Sequence, residues 1–142
     1  MSWLDMHAHI NMLDVSEQEC LQLAEQNQVE RIITIGTCPD DNPVALDIAK
    51  RNYPMVHCCL GMHPHDAKDW DDQLIEDLRP LYQLKEVVGV GEIGLDYYYD
   101  NSPRELQKSV FEKMMSVAKD VELPVQIHTR EADDDTVDIL SL

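Results

Sequence analysis

One pattern recurs along this chain and restricts its fold more than any other: a short β-like run, a polar turn, then a stretch with helical periodicity. The runs fall at about residues 3–9, 31–35, 55–60, 86–90 and 124–128. Between them the helical stretches start near Ser16, span about 42–52, 71–83 (interrupted at Pro80) and 104–121, and begin again at Asp133. Ser16 and Glu19 have the spacing of a capping box, as do Ser102 and Glu105. Asn42 before Pro43 reads as a helix N-cap. Strands alternating with helices imply an α/β fold with parallel strands. Five βα units are an incomplete (β/α)8 TIM barrel, which needs eight and about 250 residues. The 142 residues are expected to form one domain, the N-terminal portion of such a barrel, apparently truncated at Leu142.

The histidines fall in register with this pattern. Asp5, His7 and His9 alternate along the first run, His63 and His65 follow the third, and His128 ends the fifth. Glu92 follows the fourth, between Gly91 and Gly94, in what reads as a long loop over residues 91–101. The carboxyl ends of the strands are where barrel enzymes build their active sites. Two imidazoles two residues apart on a strand can grip one divalent ion, and a carboxylate from another strand can bridge two. A barrel interior normally holds branched apolar side chains, so His7 and His9 there favour metal binding. His63 and His65 are balanced between ligands and a turn set by Pro64, and His57 reads as structural. Of Tyr97, Tyr98 and Tyr99, at least one should pack under the loop, and the others could stack on nucleobases. The acidic run 131–135 reads as a solvated helix start.

Charge narrows the chemistry. With 28 acidic against 11 basic residues the net charge is −17, so any hold on nucleic acid must rest on a local cation cluster, which bound metal ions can supply. The four cysteines show no CxxC pair, and Cys58 and Cys59 are adjacent, which suits free thiols rather than a zinc knuckle or a disulfide framework. No apolar stretch approaches a membrane span, and the N-terminus lacks the features of a signal peptide. The expectation is a cytoplasmic protein with no membrane partner.

Four segments carry a family resemblance: Asp5-Met6-His7-Ala8-His9, Gly61-Met62-His63-Pro64-His65, Gly91-Glu92-Ile93-Gly94-Leu95-Asp96-Tyr97-Tyr98, and Pro124-Val125-Gln126-Ile127-His128-Thr129-Arg130-Glu131. Together they resemble successive blocks of the TatD-type metal-dependent deoxyribonucleases, within the amidohydrolase-like barrels. The resemblance implies hydrolysis of DNA phosphodiester bonds by a metal-activated water, with two divalent ions (Mg, Mn or Zn). It makes His7 and His9 ligands of one ion, Glu92 a ligand of both and His128 a ligand of the second, with Glu92 and His128 at the catalytic centre. Asp5 would orient an imidazole, Asp96 would support the Glu92 loop, and His65 and Arg130 would grip the substrate phosphate. The family's further histidine and Thr-Asp blocks lie beyond residue 142, and with them a metal-binding aspartate expected to act as general base. Two alternatives stand beside this reading: a related esterase or amidase of small substrates, and a catalytically inactive metal- or partner-binding fragment. Open sheet edges also imply self-association of the truncated chain.

Overall fold

A computed structural model describes residues 2–141. Five parallel strands, β1 (Trp3–Ala8), β2 (Val29–Ile35), β3 (Val56–Leu60), β4 (Val87–Asp96) and β5 (Val125–Arg130), pair in chain order into one sheet. The sheet curls into a half-barrel. Helices α1 (Glu17–Gln26), α2 (Asp41–Arg51), α3 (Gln73–Leu78), α4 (Arg104–Val121) and α5 (Asp133–Leu140) follow the strands, with 3-10 turns at Ile10–Met12, Pro64–Asp69 and Leu81–Gln83. The expected helix over 71–83 is thus split around Pro80, whose ring cannot continue an α-helix. That expected to run to residue 142 ends at Leu140, and Leu142 lies outside the described residues.

The core forms where the amphipathic helices meet the sheet. In α4 the buried residues Gln107, Val110, Phe111, Met114, Val117 and Ala118 recur at helical spacing and cover β4. Cys58 and Cys59 are buried, Cys20 and Cys38 half-buried, and all four are free; burial pushes the Cys58 and Cys59 thiols up to about 12. Trp3, Leu4 and Met6 of β1 remain exposed at one open edge of the sheet, and Val137 and Leu140 of α5 at the other. No helix among the described residues is long and apolar enough to cross a membrane.

Three local expectations are corrected. Residues 91–96 are strand, not loop: β4 continues to Asp96, so Glu92 stands on the sheet. Gly91 and Gly94, which read as loop signals, are there because β5 crosses too close for a side chain. A Cβ at Gly94 would sit 1.9 Å from the His128 carbonyl oxygen, one at Gly91 would sit 2.6 Å from Gln126 Cβ, and both residues have positive φ. Asn42 does not cap α2, which starts at Asp41. It is buried, and its amide donates to the Gly61 carbonyl (2.9 Å) and accepts from the Gly61 N–H (3.0 Å). Ser102 does not cap α4 either. Its hydroxyl donates to the His65 carbonyl (2.8 Å) and accepts from the Lys68 N–H (3.0 Å), tying the His63–His65 turn to the start of α4. Ser16 does cap α1, accepting from the Glu19 N–H at 3.2 Å.

Candidate metal centre

Two irregularities of the sheet set the site. Between Asp5 and Ala8 the β1–β2 pairing advances three residues on β1 against two on β2, and between Val90 and Ile93 that of β4 and β5 does the same. One extra residue is thereby accommodated beside His7 and one beside Glu92, a device that re-aims side chains near active sites. With His9 just past β1 and His128 on β5, the chain brings His7, His9, Glu92 and His128 together, and His63 joins them from the turn after β3.

His7 Nε2, His9 Nε2 and Glu92 Oε2 form a triangle with sides of 3.2, 3.4 and 3.6 Å. Ligands about 2.0–2.1 Å from a tetrahedral ion stand about 3.3 Å apart, so the triangle has the dimensions of one face of such a site. The protonation pattern agrees. Gln126 donates through Nε2 to the Met6 carbonyl (2.7 Å), which turns its Oε1 toward His7 Nδ1 (3.2 Å). His7 therefore carries its proton on Nδ1 and keeps the Nε2 lone pair inside the triangle. His9 Nδ1 is buried without a partner. These three residues fit a divalent cation.

The other oxygen, Glu92 Oε1, lies 3.1 Å from His128 Nδ1 and 3.9 Å from His63 Nε2. Burial works to raise the Glu92 pKa, but His128 and the imidazoles of His63 and His7 outweigh it, and the carboxyl is held below its ordinary range. It is ionised at neutral pH. His128 donates its other nitrogen to Asp96 Oδ2 (3.0 Å), and its pKa is raised, first by Glu92. An ion at Nδ1 would take the place of that proton while Asp96 keeps the ring in position. His63 behaves differently. Its Nδ1 accepts from the His65 N–H (3.2 Å), and burial pushes its pKa down to about 4. The neutral ring must then carry its proton on Nε2, which faces Glu92 Oε1 from 3.9 Å, beyond hydrogen-bond reach.

Asp96 is wholly buried and does more than the expected support of a loop. Oδ2 holds both His128 and His65 Nε2 (2.8 Å), while Oδ1 accepts from the backbone N–H groups of Tyr98 (3.1 Å) and Tyr99 (2.9 Å). Burial alone would raise its pKa; the Tyr99 N–H and the His65 and His128 contacts reverse this and hold it at about 2. Gln107 fixes the same residue from α4, accepting from the Asp96 N–H (2.8 Å) and donating to its carbonyl (3.1 Å). The Asp5 carboxylate accepts from the His7 backbone N–H (3.1 Å), and Gln126 Oε1 meets the His7 ring at Nδ1. Arg130 lies over Tyr98 and Tyr99, with its guanidinium 4.0 and 4.7 Å from the ring centres. His57 stands apart, edge-on to Tyr53.

The family model for TatD related DNase matches residues 4–142. The chain belongs to this family. Among curated relatives, the uncharacterized metal-dependent hydrolase YabD of Bacillus subtilis is 36% identical over 138 residues, covering 96% of this chain and 54% of its own length. The 3'-5' ssDNA/RNA exonuclease TatD of Edwardsiella piscicida is 35% identical over 109 residues, 77% of this chain and 42% of the relative. The crystal structure of YjjV, a TatD homolog from Escherichia coli K12, superimposes with a TM-score of 0.89 at 31% identity, covering 98% of this chain and 55% of that one. The chain thus spans about half the length of the relatives it matches.

Proposed function

We propose that this chain contributes the metal-binding half of a nuclease centre that hydrolyses DNA phosphodiester bonds. The observation that carries this reading is the triangle of His7, His9 and Glu92, whose sides match a metal's coordination shell. Its family membership supports it. In this reading His7, His9 and Glu92 hold one divalent ion, and Glu92 and His128 take part in holding a second. Such ions supply an acidic bound water and polarise a phosphoryl oxygen. The residues do the rest. Glu92 stays ionised in a buried position and offers one oxygen to each side. Gln126 and Asp96 fix the rings of His7 and His128. In this reading His65 and Arg130 grip the substrate phosphate, Arg130 through its planar fork.

The test is hydrolysis of a single-stranded oligonucleotide, bis(p-nitrophenyl) phosphate and p-nitrophenyl acetate, with Mn²⁺ or Zn²⁺ and with EDTA. Metal-dependent cleavage of the two phosphodiesters, lost in Glu92→Gln, is expected. Turnover of the acetate alone would replace this reading with that of a small-substrate esterase. A second reading is metal binding without turnover. It predicts metal uptake with no hydrolysis of any of the three.

A further inference from the structure

The histidines around Glu92 are not equivalent, and what separates them lies on their outer sides. His7 has its Nδ1 proton fixed by Gln126 and turns a lone pair inward. His128 gives one nitrogen to Asp96 and keeps the other, toward Glu92, for an ion to take. His63 has no such freedom. Its ring caps the 3-10 turn Pro64–Asp69, with Nδ1 accepting from the His65 N–H at 3.2 Å. A backbone N–H is always a donor, so Nδ1 stays bare while the cap holds and the ring proton stays on Nε2. To ligate an ion through Nε2, the ring would have to abandon the cap or become an imidazolate anion. Distance alone groups His63 with Glu92 and His128 as ligands for an ion, and the cap takes it out of that group.

The cap is braced on every side. The His63 N–H donates to the Thr37 carbonyl (2.7 Å), and the His63 carbonyl accepts from the Asp66 N–H (3.0 Å). Ser102 ties the His65 carbonyl to the Lys68 N–H. The His63 side chain is 13% exposed, and its ring packs edge-on against those of His65 and His128, with centres 4.4 and 4.5 Å away. Nε2 is therefore held in place, yet among the described residues it meets no hydrogen-bond acceptor. Glu92 Oε1, 3.9 Å away, is out of reach.

We infer that His63 is an N–H donor to an anionic oxygen of the substrate phosphate, on the His128 side of the centre, and not a metal ligand. A donor fixed before the substrate arrives needs no reorganisation as charge develops on that oxygen. The N–H bond stays intact throughout, so His63 supplies a hydrogen bond and transfers no proton. The inference rests on the phosphodiester reading above and adds to it a residue with a defined part.

Long-range ¹H–¹⁵N correlation spectra of the histidine rings, recorded on the unaltered chain before and after zinc is added, test the tautomer directly. His63 should show a protonated Nε2 and a bare Nδ1 in both spectra, while the His7 and His9 signals change. Loss of the His63 Nε2 proton on zinc addition would make it a ligand and overturn the inference. Calorimetry then follows zinc uptake, and inorganic phosphate added to the zinc-loaded chain. His63→Ala should take up zinc as tightly as the unaltered chain but bind phosphate about tenfold more weakly. His63→Gln, whose amide can both accept at the cap and donate, should recover part of that loss, and it carries the test if the alanine protein fails to fold. Unchanged phosphate affinity in both variants would overturn the donor. If bis(p-nitrophenyl) phosphate is still cleaved in that case, the hydrolase reading stands and the donor alone has failed. Phosphate held through His63 by a chain that cleaves no phosphodiester would uphold the donor and count against the catalytic reading.

Discussion

Replacing Asn42 by alanine tests how the turn bearing His63 and His65 is held. The Asn42 amide is buried and meets both the N–H and the carbonyl of Gly61, itself buried two residues before His63. Truncation leaves two backbone groups without partners in a place that water does not reach. At about 1–3 kcal/mol for each unsatisfied group, the loss is about 2–6 kcal/mol. Alanine's better helix propensity inside α2 returns about 0.5 kcal/mol. The expected net destabilisation is therefore about 1.5–5.5 kcal/mol, or a Tm lower by roughly 5–20 °C for a domain of this size. Thermal unfolding should be followed in EDTA, so that bound metal does not add to apparent stability. Asn42→Asp is the informative companion. Aspartate is as good an N-cap as asparagine, so a capping role would leave stability unchanged. Set against Gly61 it turns an oxygen toward a carbonyl and buries a charge, and it should destabilise at least as much as alanine. An Asn42→Asp protein as stable as the unaltered chain would refute this account of the turn.

Two further outcomes follow from the same geometry. The Asp96 pKa is depressed to about 2, so its contribution to the metal-free fold is fully present above the ordinary carboxylate range and is lost as pH falls from there toward 2. The shift corresponds to about 2 kcal/mol, taken as roughly 1–2 after allowing for solvent screening in an open half-barrel. Asp96→Asn should be less stable than the unaltered chain by this amount in urea unfolding at pH 7, and the gap should narrow by pH 3; an equal gap at both pH values would contradict it. The open edges at β1 and β5, with Trp3, Leu4 and Met6 exposed on β1 and Val137 and Leu140 on α5, should drive self-association of the chain. Salt should promote it by screening the net charge of −17, and a monodisperse monomer by sedimentation at both low and high salt would count against it.

The alternation of strands and helices was legible because it depends on local periodicity, and the histidines at strand ends could be placed once the strands were. What escaped the sequence depends on tertiary neighbours. Gly91 and Gly94 read as loop residues because glycine breaks strands on average; only the passage of β5 across them shows that they are strand residues lacking room for a side chain. Asn42, Gln107 and Gln126 are neutral and polar, and nothing in their spacing marks them as buried or bonded to the site. Each is defined by a partner distant in sequence or in another element: Gly61, the Asp96 backbone, His7 with Met6. In the sequence Asp96 reads only as a support for the Glu92 segment. That it orders two imidazoles and two tyrosine N–H groups needed β3, β4 and β5 side by side.

The central claim is that His7, His9 and Glu92 together bind a divalent ion. Anomalous X-ray diffraction from zinc-soaked crystals, recorded at the zinc edge, tests it most directly. The account predicts a peak at about 2.0–2.2 Å from His7 Nε2, His9 Nε2 and Glu92 Oε2 at once. Zinc bound only elsewhere, with that triangle of side chains left without a peak, would contradict it.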